Sequence, residues 1–87
     1  MFEVKTWQDA HLGKVRMCFD GKVLAVEFEG DAYSVEVRPC AEPDATTVSD
    51  VLNDYGYWGE AGQVQGLACS VDHDLLFWDG DWFRTLY

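Results

Sequence analysis

Between Gly13 and Arg38 apolar and polar residues alternate in three successive runs, broken at Asp20-Gly21 and at Gly30-Asp31. A period of two marks a strand with one buried face, and both dipeptides suit two-residue hairpin loops. With those loops setting the register, Phe19 faces Lys22, Met17 faces Leu24 and Val15 faces Val26. Across the second loop Phe28 faces Tyr33, Val26 faces Val35 and Leu24 faces Val37. The apolar residues then share one side of a three-strand meander, a concordance that a one-residue slip would destroy. The opposite side carries Lys14, Arg16, Cys18, Val23, Ala25, Glu27, Ser34, Glu36 and Arg38, a solvated surface on which Lys14 pairs with Glu27. Ahead of the meander, Phe2 to Trp7 alternates as an edge strand, with Phe2, Val4 and Thr6 on one side and Glu3, Lys5 and Trp7 on the other.

The period changes after Pro43. Val48, Val51, Leu52 and Tyr55 follow i, i+3, i+4 and i+7, the stripe of a short helix. Thr47 with Asp50 three residues on is the expected N-terminal cap, and Gly56 the expected stop. The stripe is expected to cover the apolar face of the meander. A loop with Gly56, Gly59 and Gly62 carries Tyr57, Trp58 and Glu60, and Val64 to Val71 is a weaker strand interrupted by Gly66. From Asp74 to Tyr87 a last hairpin turns at Asp79-Gly80, with Phe77 opposite Trp82 and Leu76 opposite Phe83. Leu76, Trp78 and Phe83 occupy one side and Leu75, Phe77, Trp82 and Leu86 the other. Such a hairpin is either covered twice or leaves a face for a partner, a second copy of the chain included. These elements predict a single domain over residues 1–87 of α+β class: an antiparallel sheet of five or six strands with one short helix on one face.

The balance of charge sharpens this picture. Sixteen Asp and Glu against six Lys and Arg give a formal net charge of −10. Residues 1–38 hold five basic and seven acidic side chains, residues 39–83 nine acidic and no Lys or Arg, and Arg84 supplies the last positive charge, so the sum is −2 − 9 + 1. The imbalance therefore belongs to the helix, the aromatic loop and the final hairpin. A surface of that sign repels nucleic acid and anionic lipid and is drawn to a basic protein surface. The longest apolar runs, Val23–Val26 and Leu75–Trp78, are too short for a membrane span or a signal peptide. Three cysteines, Cys18, Cys40 and Cys69, share no short spacing, which argues for free thiols in a reducing cytoplasm.

Catalytic chemistry is weakly represented. His11 and His73 lie far from any cysteine along the chain, no glycine-rich phosphate loop is present, and no cofactor or metal is expected. Adjacent strand residues alternate sides, so Asp72-His73-Asp74 is not expected to converge on a metal or act as an acid–base cluster. Cys69 and His73 lack an orienting group and an oxyanion hole. The expectation is a non-enzymatic binding protein. Its contact residues are the carboxylates Asp50, Asp54, Glu60, Asp72, Asp74, Asp79 and Asp81 with the aromatics Tyr57, Trp58 and Trp78, because aromatic anchors supply affinity while neighbouring charges speed and select the encounter. In size and charge the chain is similar to phage proteins that inhibit CRISPR or restriction enzymes by occupying their DNA-binding surfaces, and to immunity proteins for basic nuclease toxins. That likeness implies nucleic-acid mimicry against a basic nuclease, CRISPR or restriction complex. The competing expectation is a housekeeping or salt-adapted domain whose acidic half only confers solubility.

Overall fold

The structure, a computed structural model, describes residues 3–54 and 61–86. Its strands are β1 (Glu3–Asp9), β2 (Gly13–Phe19), β3 (Val23–Phe28), β4 (Asp31–Pro39), β5 (Leu67–Ser70), β6 (Leu75–Trp78) and β7 (Asp81–Leu86), with one α-helix among the described residues, α1 (Ala45–Leu52), and a short 3-10 turn at Ala61–Gln63. All seven strands form one antiparallel sheet in the order β1-β2-β3-β4-β7-β6-β5, so the fold is α+β. The count exceeds the expected five or six because the weak segment around Gly66 does form a strand, starting just beyond that glycine. The expected positions Phe2, Tyr55, Gly56 and Tyr57 lie outside the described residues.

The meander keeps its expected faces but shifts its pairing. Phe19 faces Leu24 rather than Lys22, and Met17 faces Val26. In place of a two-residue loop, the Asp20 carboxylate accepts from the Lys22 and Val23 backbone N–H groups at 2.8 Å each, which closes a four-residue turn. Across the next turn Phe28 faces Asp31 and Val26 faces Tyr33, so the loop is Glu29-Gly30. Each shift moves the partner by two residues, and two residues restore the same face. The charged pair consequently changes as well: Arg16, not Lys14, stands opposite Glu27, at 3.6 Å. The last hairpin has the expected register, and its Asp79-Gly80 loop has φ of 46° and 96°, the double positive φ of a type I′ turn.

Helix α1 begins three residues earlier than expected. The Asp44 carboxylate accepts from the Thr47 N–H at 2.8 Å, so Asp44 is the cap and Thr47 lies in the first turn. Nor does the helix cover the meander. Val51 and Val48 pack on Ala68, Leu75 and Trp82, the outer face of β5, β6 and β7, while Leu52 stays exposed. The meander's apolar face is covered instead by the other half of the same sheet. Val15, Met17, Phe19, Leu24 and Val26 join Leu67, Cys69, Leu76, Trp78 and Phe83 in one core. β2 and β6 are four steps apart in the sheet, about 19 Å if it were flat, yet the Phe19 and Trp78 rings lie 5.1 Å apart. The right-handed twist has rolled the sheet onto itself. The final hairpin is thus covered on both faces within the chain, save at Arg84 and Leu86 on the outer side of β7, which remain exposed.

Candidate acidic interaction surface

Rolling brings the sheet's two ends together. On β1, Glu3, Lys5 and Trp7 share one face, with Lys5 and Trp7 half-buried and Glu3 exposed. Lys5 Nζ lies 2.8 Å from Asp79 Oδ1, donates to the Gln65 carbonyl at 3.1 Å and sits 5.1 Å from the centre of the Trp78 ring. The Trp78 indole N–H donates to the Glu3 carboxylate. Asp79 is held further by its backbone N–H, which donates to the Gly66 carbonyl at 2.8 Å. Gly66 is needed there twice over: its φ is +74°, and a Cβ would run into the Asp79 carboxylate.

Beside this latch opens a cleft of about 320 Å³ lined by Glu3, Asp20, Asp79 and Asp81, with Phe19, Trp78 and Phe83 among its walls. Four carboxylates against Lys5 leave a formal charge of −3. Hydrogen bonds from Val23 and Lys22 hold the Asp20 carboxyl below its ordinary range, so it is an anion and not a proton donor at neutral pH.

A second acidic group lies at the other end of β6. Residues 71–74 form a turn, not a continued strand, and Asp74 takes φ of 55°. His73 and Asp50 of α1 approach across it, Nε2 to Oδ2, at 3.8 Å. Asp72 and Asp74 flank them, exposed. Asp74 and Asp79 stand five positions apart with the four residues of β6 between them, about 17 Å of extended chain. The expected contact residues therefore form two groups. Asp50, Asp72 and Asp74 gather at the β5–β6 turn, and Asp79 and Asp81 at the β6–β7 turn. Asp54 lies half-buried after α1, where its charge reaches the Cys69 thiol. Trp58 and Glu60 lie outside the described residues. Trp78 is 3% exposed, so it is a wall of the core and not a presented anchor. Glu3 and Asp20 were not among the expected contacts. The Asp-Gly turn hinted at Asp20, whereas nothing local marks Glu3, which joins the cleft only through the contact of β1 with β6.

The side chains Ser70, His73 and Asp50 supply the residue types of a nucleophile, base and orienting acid, with Ser70 Oγ 3.1 Å from His73 Nδ1. Their arrangement serves structure. Ser70 has no solvent exposure, and its oxygen accepts the His73 backbone N–H at 3.3 Å, closing the turn. Burial pushes the Cys69 thiol far up, with the Asp54 charge adding to the effect, so the thiolate needed for attack is suppressed. Among the described residues no three His, Cys, Asp or Glu side chains are grouped to hold a metal ion, and no helix is long and apolar enough to cross a membrane. No family model, curated protein or solved structure matches this chain.

Proposed function

We propose that the protein is a small non-enzymatic inhibitor that docks its acidic hairpin ends onto a basic surface of a nucleic-acid-handling protein, such as a nuclease, CRISPR or restriction complex, and blocks it by charge mimicry. One observation carries the reading. The exposed carboxylates of the helix and last hairpin stand in two groups at the two ends of β6, about 17 Å apart, in a stretch from 39 to 83 that contains no Lys or Arg. A basic groove that spaces phosphates regularly would meet both groups at once. The free thiols Cys18, Cys40 and Cys69 suit action in a reducing cytoplasm.

The test is a cleavage assay on a panel of DNA- and RNA-cleaving enzymes, with wild type and an Asp50→Lys, Asp72→Lys, Asp81→Lys variant at low and high salt. Those three carboxylates take no part in the Lys5 latch or the Asp20 turn, so circular dichroism should report an unchanged fold. Inhibition that fades with salt and is lost in the variant supports the reading. Inhibition by the folded variant at wild-type strength, or no inhibition of any enzyme, overturns it and leaves the acidic half as a solubility face.

A further inference from the structure

Folding sorts the cations as sharply as the anions. Lys14, Arg16, Lys22, Arg38 and Arg84, five of the chain's six basic residues, are all exposed. β4 pairs with β7 in a register that sets Arg38 directly opposite Arg84. Their sequence neighbours Val37, Phe83 and Thr85 are buried on the inner side, so both guanidiniums stand on the outer side, next to each other across two strands. Like charges directly opposite destabilise a ladder. Arg16 is relieved by Glu27, but no ion pair to Arg38, Arg84 or Lys22 is present among the described residues. Along the same strands runs a groove of about 420 Å³ lined by Lys22, Val23, Glu36, Arg38, Pro39 and Leu86; Arg84 is not one of its walls but stands next to it, opposite Arg38. Its walls are largely apolar, and Leu86 is one of the few large hydrophobic side chains left exposed, at 38%.

We infer that this groove binds a small oxyanion bearing an apolar substituent, its charged head between Arg38 and Arg84 within reach of Lys22 and its apolar part on Val23, Pro39 and Leu86. Charge complementarity selects the head: Lys22 and Arg38 outnumber the one carboxylate of the lining, Glu36, and Arg84 opposite Arg38 adds a third cation, so an oxyanion removes the repulsion of the paired guanidiniums and fits their planar forks. Size selects against a polyanion. The Debye length is about 8 Å at physiological salt, so a single anion feels the local cations, whereas every further phosphate of a nucleic acid meets the field of a chain with net charge −10. Carboxylate and phosphate heads share this chemistry.

The experiment is an NMR titration of the isotope-labelled full chain with benzoate, phenylphosphate and inorganic phosphate. Saturable shifts are expected at Lys22, Val23, Arg38 and Leu86 and at the Arg84 side chain. Phenylphosphate should outbind inorganic phosphate, and benzoate against phenylphosphate identifies the head. Arg84→Gln should weaken binding about tenfold, while Lys14→Gln, on the same face outside the groove, leaves it unchanged. A thermal melt gives an independent readout: phenylphosphate raises the wild-type midpoint and leaves that of Arg84→Gln unmoved. Shifts that do not saturate, that spread equally to Lys14 and Arg16, or that survive Arg84→Gln would overturn the assignment.

Discussion

Lys5 is the side chain that closes the rolled sheet, and Lys5→Met asks how much that closure contributes. Methionine keeps the length and apolar stem of lysine and removes only the charge and its donors. Three interactions are lost. The ion pair with Asp79 contributes about 0.5 kcal/mol, since exposed partners are screened and the Asp79 side chain is 52% exposed. The contact with the Trp78 face adds about 0.5–1 kcal/mol. The bond to the Gln65 carbonyl adds about 0.5–1 kcal/mol. The expected loss is about 1.5–2.5 kcal/mol, which for a domain of this size lowers the melting temperature by about 6–20 °C. Urea unfolding followed by tryptophan fluorescence measures it directly. Repeating the measurement in 1 M salt, where the Debye length is about 3 Å, should remove the ion-pair share and leave the rest. Asp79→Asn ought to cost a comparable amount, because it strands a Lys5 side chain that is only 15% exposed. The double variant should be less destabilised than the sum of the two. If Lys5→Met lies within about 0.5 kcal/mol of wild type, a value ordinary for a surface substitution, Lys5 does not fasten β1 to the β6–β7 turn and the closure rests on the core and the Glu3–Trp78 hydrogen bond.

Other consequences are equally direct. Gly66→Ala should cost about 2 kcal/mol or more, since it adds strain at positive φ to a collision with Asp79, whereas Gly21→Ala, at φ +92° in open space, should cost about 1 kcal/mol; chemical denaturation separates them. Leu76→Ala removes a side chain with no solvent exposure, and the cavity should cost about 2–5 kcal/mol in the same assay. Asp20 and Asp44 are both held below the ordinary value of 3.8, Asp20 first by the Val23 N–H and Asp44 first by the Thr47 N–H. Each therefore stabilises the fold above pH 3.8 and loses that contribution as pH falls through its lowered folded value. Melting temperature against pH should drop on the acid side, and Asp44→Ala should flatten the drop. In the native protein Cys18 and Cys40, half-buried, should react with a thiol reagent before Cys69 does; mass spectrometry of the labelled peptides ranks them.

Local pattern was enough for much of this architecture. Alternation set the faces of β2, β3, β4, β6 and β7, because which side a strand residue takes depends only on parity. For the same reason the two meander registers could move by a whole pleat without exposing the core. The Asp79-Gly80 turn was legible because a type I′ loop demands positive φ at both positions. Caps were less so: Asp44 and Thr47 are both good cap residues, and the choice between them rests on where the chain leaves β4. The cover of each face was invisible locally. A flat meander calls for a helix, but a twisted seven-stranded sheet can roll and supply its own cover, which frees α1 for the second apolar face of the last hairpin.

The candidate sites divide in the same way. That residues 39–83 are acidic is a property of the sequence. That Asp72 and Asp74 lie at the base of the last hairpin and Asp79 and Asp81 at its tip follows from their order along the chain, whereas that Asp79 is bound to Lys5 and that Trp78 is tied to Glu3 are consequences of contacts between residues more than seventy positions apart. The facing of Arg38 and Arg84 likewise exists only because β7 pairs with β4 across the chain reversal of the helix and the final hairpin. Periodicity determines which side a residue takes along its own strand; which strands become neighbours is decided by how the whole sheet buries its apolar area, and charge is carried along with that choice.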